Sequence, residues 1–472
     1  MFGFGSTPIL NFSELPRPHS QAIPWHSFWR FPPMKLPKFD RTPAVVLGLG
    51  QNGLATCRAL GRVGVPVIGI DTDLEQPGAK TRYCTKVQCD DFVKGGPGLI
   101  ETLKEIGSEL DDKAVLIPSG DLNVQMISQH REELDPWFLY RLPSKEVLEL
   151  FMDKKSFYKI AIERDYPLPR TWFTDEEHDI DQIVRDIEYP CLIKPFQPTA
   201  VWRDTFDTRL FLANSADMLR SLYDLIYPVH QDLIIQEYMP GDDSQVVWGV
   251  TYLDAEQNPL AIWSGRKLRM YPRGFGTATL AESLHQPWVA EEAVRILKDV
   301  GHVGYGVVEF KKDRRDGSYK MTEATGGRTW FPHGLVTSSG INLPYIWYRE
   351  VLGEPVACQT SFEEGIKWIH EERDLKTVAL YFLPEKRLTP WSWIQSYRGR
   401  RTYAYAAWDD PGPLLNSLSR ILKAGAGRFG RKFKSSEPER ERVRQGRPKH
   451  MEELLLAADP TVGQGLRQVT VD

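Results

Sequence analysis

The stretch from Tyr305 to Phe331 decides how this chain folds, and it reads Y-G-V-V-E-F-K-K-D-R-R-D-G-S-Y-K-M-T-E-A-T-G-G-R-T-W-F. β-Branched and aromatic residues on both sides of an Asp-Gly turn predict a β-hairpin. Folding the hairpin would bring Glu309 on the first strand beside Glu323 on the return strand. Two neighbouring carboxylates repel unless a cation lies between them, and Mg²⁺ prefers such oxygen ligands. A surface hairpin with two solvated acids explains this stretch equally well.

Basic residues lie close to this hairpin in the sequence. The run Gly326–Arg328 offers backbone N–H groups and a guanidinium, both suited to phosphate oxygens or a developing anion. On a strand predicted over Ala261–Met270, Lys267 and Arg269 would point to one face because side chains alternate along a strand. They suggest an anionic substrate, although a solvated edge strand is an alternative.

Length and composition restrict the classes of protein. With 472 residues the chain is too long for one core, so several domains are expected. A hydrophobic fraction of 41% and a charged fraction of 26% are ordinary for a soluble protein, and a net charge of -4 argues against nucleic-acid binding. The five cysteines form no Cys-x-x-Cys pair, and no membrane span or secretory signal is seen. We therefore expect a cytoplasmic protein.

A β–turn–α–β unit opens the main body of the chain. The buried run Ala44–Leu49 leads into the glycine-rich turn Gly48–Gly53, a helix follows, and a second strand ends at Asp71. This spacing matches a dinucleotide fingerprint, which would suit an NAD-dependent oxidoreductase. Glycines at a strand-to-helix turn also serve tight turning alone, so the match is of low specificity.

Two lysines and one strand end point to a nucleotide. Lys194 closes a short apolar strand immediately before a proline, where a buried cation is costly unless an anion meets it. Lys154 stands at the start of a predicted helix, where a solvated lysine is the simpler explanation. The apolar strand Leu233–Gly241 breaks into a loop carrying Asp242 and Asp243. Its backbone could bind a base and the two carboxylates a ribose, although a buried strand with a solvated turn explains the stretch equally well.

The order of these pieces resembles the ATP-grasp superfamily, and within it the carboxylate–amine ligases of the D-aspartate ligase and predicted carboligase type. The resemblance runs from about Ala44 to Gly353. The motifs that carry it, besides the two acids, are D-K-x-x-F at Asp153–Phe157, I-K-P at Ile193–Pro195 and I-Q-E-Y-x-P-G at Ile235–Gly241. It implies an α/β and α+β chain, in which a Rossmann-like pre-ATP-grasp domain precedes the ATP-grasp fold.

The resemblance also implies roles for individual residues. ATP would be bound by Lys154, Lys194, Gln236, Glu237, Tyr238, Met239 and Asp243. The metal, Mg²⁺ or alternatively Mn²⁺, would be held by Glu309, Glu323 and Thr325. The catalytic residues would be Arg328, which would face the reacting carboxylate, and the two strand cations Lys267 and Arg269.

The reaction implied is ligation of a small-molecule carboxylate to an amine. The carboxylate attacks the γ-phosphate, and the amine then displaces phosphate from the acyl phosphate, leaving ADP. An amino acid or a uronic acid would suit the cations, and a homodimer is common in the resembled family. Thr325 replaces the usual asparagine ligand, and the loop after Lys194 lacks the usual glycines. A non-catalytic ATP-binding scaffold is therefore the main alternative, ahead of the oxidoreductase.

The domain boundaries follow from composition and motif order. We predict a Pro- and aromatic-rich arm at 1–40 and a pre-ATP-grasp domain at 41–150. An ATP-grasp domain at 151–355, a C-terminal extension at 356–425 and a basic disordered tail at 426–472 follow. The tail could make a weak contact with a membrane surface. Within the extension, a strand is predicted over 379–383 and a short helix over 414–423.

Overall fold

The computed structural model describes residues 36–89, 97–174, 179–196, 199–206, 208, 210–272, 274–384, 388–430 and 458. The chain divides after Pro37, and every element given below lies in the unit Lys38–Asp472. Most of the predicted N-terminal arm and most of the predicted basic tail lie outside the described residues. The remaining domain boundaries stay predictions.

The first sheet is parallel and has five strands in the order β3-β2-β1-β4-β5. Its strands are β1 (Ala44–Leu47), β2 (Val67–Asp71), β3 (Thr85–Gln88), β4 (Ala114–Pro118) and β5 (Phe138–Leu139). Its helices are α1 (Gln51–Gly61), α2 (Pro97–Ser108), α3 (Asp121–Gln129), α4 (Arg131–Leu134) and α5 (Lys145–Met152), with a short 3₁₀ turn at Pro77–Lys80. β1, β2 and β4 are buried along their whole length, which explains their continuous apolar runs.

The second sheet is antiparallel, with four strands in the order β6-β9-β7-β8. Its strands are β6 (Thr171–Phe173), β7 (Cys191–Pro195), β8 (Phe211–Ala213) and β9 (Leu233–Glu237). The helices of this region are α6 (Lys154–Glu163), α7 (Ile180–Asp186), α8 (Ala200–Phe206) and α9 (Ala216–Ile226). Apolar side chains of α7 and α9 cover one face of the sheet, so its other face is left for the polar residues of β7 and β9.

The third sheet has seven strands in the order β14-β13-β10-β11-β12-β15-β16, antiparallel except for the last pair. Its strands are β10 (Val246–Leu253), β11 (Pro259–Tyr271), β12 (Thr277–Ser283), β13 (Gly304–Lys312), β14 (Tyr319–Gly326), β15 (Lys367–Ile369) and β16 (Arg401–Tyr403). A 3₁₀ turn at Asp243–Gln245 precedes it, and its helices are α10 (Pro287–Asp299), α11 (Gly334–Ser338) and α12 (Leu343–Val351). α10 lies directly on β10, because a Cβ at Gly249 would meet the Ala293 Cβ at 2.4 Å.

The C-terminal extension is helical except for the two strands that it adds to the third sheet. Its helices are α13 (Glu371–Thr377), a π-helix (Val378–Phe382), α14 (Pro390–Ser396) and α15 (Gly412–Gly430). The strand predicted over 379–383 is therefore wrong: a short apolar run fits either structure, and here it continues α13 without a breaker. α15 runs further than the predicted 414–423. Among the helices described, none is long and apolar enough to cross a membrane.

A buried ion pair fastens the C-terminal extension to the first helix. Asp410, 1% exposed, accepts hydrogen bonds at its carboxylate from Arg58 Nε at 2.9 Å, Thr81 Oγ1 at 2.7 Å and the Arg82 backbone N–H at 3.0 Å. Arg58 also donates to the Asp410 carbonyl at 3.0 Å. Arg58 and Asp410, far apart in the sequence, thus form one desolvated ion pair. Removing either partner would leave the other as an unpaired buried charge, which is costly.

Replacing this aspartate should destabilise the whole chain. Asp410→Ala leaves the Arg58 guanidinium buried without a carboxylate, so the free energy of unfolding should fall by about 3–5 kcal/mol in urea titrations. Glu354→Ala is the matched control, because Glu354 pairs with Arg349 at 2.7 Å on the surface and should cost less than about 1 kcal/mol. Equal losses in the two variants would contradict a fastening role for Asp410.

Candidate active site

The predicted hairpin is present and brings its two acids together. β13 and β14 pair in antiparallel fashion, with Glu309 directly opposite Glu323 and Val307 opposite Thr325. Because side chains alternate along a strand, Thr325 shares the face of Glu323. The two carboxylates and the hydroxyl therefore lie on one face of the third sheet.

Glu309 is held by three donors. Its Oε2 accepts from the Lys267 ammonium at 2.8 Å and from the Trp248 indole N–H at 2.9 Å, while Oε1 accepts from Thr322 Oγ1 at 3.0 Å. Burial alone would raise the pKa of Glu309, but the Lys267 charge and these hydrogen bonds lower it below its ordinary value. The group is thus a carboxylate at neutral pH.

A β-bulge explains how Thr322 reaches Glu309. The register shifts between Glu309 and Phe310, so Thr322 is the extra residue on β14. A bulge re-aims a side chain that strict alternation would send to the other face. The adjacent Tyr158 hydroxyl donates to the Thr322 carbonyl at 3.1 Å, which ties α6 to the hairpin beside the acid pair.

Two lysines lie near the acid pair, one on α6 and one on the second sheet. Lys154 Nζ lies 3.6 Å from Glu323 Oε1, and both side chains are about half exposed. Lys194 Nζ donates to Gln236 Oε1 at 2.9 Å and lies 5.4 Å from the ring centroid of Tyr158. Burial, followed by the charge of Lys154, lowers the pKa of Lys194 to about 7. An anion in contact with Lys194 would reverse that effect.

Local sequence explains the position of both lysines. Asp153 caps α6 by accepting from the Lys155 backbone N–H at 3.0 Å, so Lys154 falls at the first position of the helix. In the second sheet, Leu192 pairs with Gln236, and Lys194 lies two residues further on the same face. Gln236 in turn donates to Thr171 Oγ1 at 2.8 Å, which orients its amide.

Glu237 lies apart from these groups. Strand alternation turns it away from Gln236, and its carboxylate accepts from Arg315 at 2.5 Å and from the Arg170 backbone N–H at 3.2 Å. Lys320 approaches within 3.4 Å. The side chain thus joins the second sheet to the β13–β14 turn, and its implied contact with a base or ribose stays a prediction.

The loop after β9 is held by other charged groups. Asp243 accepts from the backbone N–H groups of Met270 at 2.9 Å and Gly274 at 3.0 Å. Lys311 donates to the Met239 carbonyl at 2.7 Å and lies 5.3 Å from the ring centroid of Tyr238. Burial lowers the pKa of Lys311 to about 8. The 238–243 segment is therefore braced against β11 and β13.

Of the three predicted catalytic cations, only Lys267 touches the acid pair. The Arg328 guanidinium donates two hydrogen bonds to the Asp121 carboxylate at the start of α3, one of them at 3.2 Å. Arg269 forms a buried bidentate pair with Asp374, at 2.8 and 2.7 Å. The structure thus places Arg328 between the first and third sheets and commits Arg269 to the C-terminal extension.

Sequence reasoning gave no role in the site to three supporting side chains, namely Tyr158, Trp248 and Thr322. Tyr158 follows Lys154 by four residues, so the helical repeat could have indicated a shared face. Trp248 is cross-strand to Glu309, which requires knowledge of the β10–β13 pairing. Nothing in the sequence indicates the bulge that redirects Thr322.

The glycine-rich turn after β1 is explained by sterics. A Cβ at Gly53 would lie 1.6 Å from the Gly48 carbonyl oxygen, and Gly48 has a φ of 94°. Asp71 at the end of β2 is buried, and its carboxylate accepts from the backbone N–H groups of Leu49 at 2.6 Å and Asp73 at 3.1 Å. The acid of the fingerprint therefore stabilises the turn itself.

Comparison with known proteins agrees with this geometry, although no family model matches the chain. The D-aspartate ligase of Enterococcus faecium is 27% identical over 283 residues, which cover 56% of this chain and 66% of that protein. A formate-dependent phosphoribosylglycinamide formyltransferase of Shewanella frigidimarina is 27% identical over 153 residues, or 32% of this chain and 36% of that protein. The chain thus spans just under two thirds of the first relative and about a third of the second.

Solved structures show the same fold at low identity. The biotin carboxylase domain of a Hydrogenobacter thermophilus 2-oxoglutarate carboxylase gives a TM-score of 0.53 at 15% identity, covering 69% of this chain and 73% of that one. An N5-carboxyaminoimidazole synthetase of Staphylococcus aureus gives 0.52 at 14% identity, covering 68% and 80%. This likeness concerns the fold alone.

A parallel sheet followed by two mainly antiparallel sheets is the architecture that this chain shares with these solved structures, so its fold is the ATP-grasp fold. The resemblance to carboxylate–amine ligases predicted from the sequence is confirmed as well, and the D-aspartate ligase of Enterococcus faecium carries that resemblance over more than half of the chain.

Removing Lys267 should destabilise the chain in a pH-dependent way. The lowered pKa of Glu309 contributes stability that is present above pH 4.5, the ordinary value, and is lost as the pH falls through the folded value. Lys267→Met should therefore cost about 3 kcal/mol at pH 7 and less near pH 4 in urea titrations. Lys154→Met is the control, because its half-exposed pair should contribute less than about 1 kcal/mol at either pH. A loss independent of pH would show that Lys267 acts through packing.

Proposed function

We propose that this protein is an ATP- and Mg²⁺-dependent ligase that activates a carboxylate as its acyl phosphate and joins it to an amine, releasing ADP and phosphate. One observation carries the proposal. In the cross-strand pair of Glu309 and Glu323, Glu323 lies 3.6 Å from Lys154 of α6, and the charges of Lys154 and Glu323 both act on the pKa of Lys194 of β7. Phosphoryl transfer requires positioning and charge neutralisation above all, and this arrangement offers both.

The acid pair fits a metal that arrives with a nucleotide. Mg²⁺ is commonly held by one or two carboxylates together with substrate phosphates. Glu309 and Glu323 supply two carboxylates on one face, and Thr325 adds a hydroxyl. Across the described residues, no group of three or more His, Cys, Asp or Glu side chains could hold a metal ion alone. The metal would neutralise charge on the phosphates, and Mn²⁺ would accept the same oxygen ligands.

Nucleotide binding is proposed between the second and third sheets. Lys154 and Lys194 would meet the phosphates, and the 236–239 segment would hold the adenine through its backbone. The low pKa of Lys194 supports this, because a buried amine near pH 7 gains most from an anionic partner. Solved relatives of the same fold are complexed with MgADP or ADP.

The carboxylate substrate is proposed to lie near Arg328. This guanidinium sits beside Asp121 at the end of the first sheet, where it could exchange that partner for a substrate carboxylate. An amino acid is favoured over a uronic acid, because the relative matched over 283 residues is a D-aspartate ligase. Arg269 is proposed to act indirectly by holding β11 near Lys267, since Asp374 occupies its guanidinium. A homodimer stays a prediction.

The first test uses the exposed acid of the pair. Glu323→Gln should lower ATP-dependent phosphate release with D-aspartate and an amine by about a hundredfold or more, because it removes a negative charge that would hold the nucleotide's metal. Glu363→Gln is the matched control: Glu363 is similarly exposed, pairs with Arg400 and should leave the rate unchanged. Circular dichroism would show that both variants remain folded.

The products and the acceptor dependence separate the alternatives. ADP and phosphate support the ligase, whereas AMP and pyrophosphate would contradict it. ATP binding without turnover, with every carboxylate and amine tried, would favour the non-catalytic scaffold instead. An oxidoreductase would require binding of a nicotinamide nucleotide.

ATP binding should also take up a proton through Lys194. An anionic phosphate raises the pKa of this amine from about 7, so affinity should fall as the pH rises above that value, by up to about tenfold per unit. Calorimetry at pH 8 in buffers of different ionisation enthalpy would measure the uptake. In Lys194→Arg the cation does not titrate, so the variant should bind without proton uptake. Equal uptake by both proteins would exclude Lys194 as its source.

A further inference from the structure

The last helix of the described chain carries an apolar face that points to solvent. Leu415, Leu418, Ile421 and Leu422 of α15 are 62%, 47%, 47% and 73% exposed. At 100° per residue these four side chains occupy one arc of about 120° around the helix. We call this arc the α15 face. Exposed apolar side chains that gather in one patch mark a binding surface more often than single ones do.

α15 is attached to the rest of the protein by a different side. Pro413 and Ser417 are buried, and the Ser417 hydroxyl donates to Glu372 on α13. Arg420 Nη1 lies 3.6 Å from Asp73 Oδ2. Within the part of the chain that the structure describes, these contacts hold the N-terminal half of the helix and leave the α15 face uncovered. The four apolar side chains therefore do not serve the described core.

The charge of α15 is positive. Its 19 residues include no Asp or Glu, and at 100° per residue Arg420 and Lys423 lie about 140–160° from the middle of the apolar arc, on the opposite side of the helix. The sequence continues with eight Lys and Arg against three Glu between 431 and 449, in a chain whose net charge is -4. Trp408, just before the helix, is 96% exposed, and tryptophan favours the interface between lipid and water.

These features select one kind of partner. A nucleic acid would use the cations and leave the leucines in water. A second copy of this chain would bury the leucines but would bring two equally basic helices together. We propose that the α15 face lies on the surface of an anionic lipid bilayer, with the leucines in the acyl boundary and the basic residues that follow in the sequence attracted to the head groups. This inference does not depend on the ligase proposal.

Vesicle sedimentation of the full chain tests the inference. The wild type should sediment with phosphatidylglycerol vesicles at low salt and not with phosphatidylcholine vesicles. The double variant L418E/L422E should bind phosphatidylglycerol at least about tenfold more weakly, because two apolar side chains no longer enter the bilayer. Ile162→Glu is the matched control, since Ile162 on α6 is 51% exposed and should leave binding unchanged.

Several outcomes would overturn the proposal. Failure of the wild type to bind phosphatidylglycerol is one, and equal binding by L418E/L422E, which would assign the attraction to charge alone, is another. Light scattering that shows a dimer in the wild type and a monomer in L418E/L422E, without vesicle binding, would assign the face to a second copy. If the double variant unfolds, Lys423→Glu serves instead and should weaken binding severalfold.

Discussion

The arrangement of the site depends on how two carboxylates on adjoining strands are kept from repelling each other. Each acid of the Glu309–Glu323 pair has a lysine of its own, Lys267 from β11 and Lys154 from α6. Glu309, the less exposed acid, has the closer cation and two further donors, while the half-exposed Glu323 has Lys154 at 3.6 Å. Glu323 is accessible to a divalent ion from solvent, whereas Glu309 is already paired with Lys267. For both acids to hold the ion, the distance between Lys267 and Glu309 would have to increase.

The hairpin could be predicted because its signals are local. An Asp-Gly turn flanked by β-branched and aromatic residues predicts that the two strands pair, but Glu309 lies opposite Glu323 only because the bulge at Thr322 shifts the register. The two lysines were also visible, one at a helix start and one at a strand end before proline. Residues within a few positions were therefore sufficient to predict the hairpin and the two lysines, whereas the register that joins the two acids depends on the bulge.

Geometry that depends on distant residues could not be predicted. Asp374 meets Arg269 across 105 residues, and no spacing in either segment indicates it. The bulge at Thr322 depends on how three strands pack together, and so does the bracing of the 238–243 segment. Glu237 differs, since strict alternation with Gln236 already indicated that the two side chains could not both face one ligand.

The pairing of Arg58 with Asp410 has a consequence for biosynthesis, since the two residues are separated by 352 positions. At a translation rate of about 5–20 residues per second, roughly 20–70 seconds pass between the appearance of the arginine and that of its carboxylate. During that interval the Arg58 guanidinium of the first helix has no carboxylate to pair with, so this helix completes its packing only after Asp410 has been synthesised.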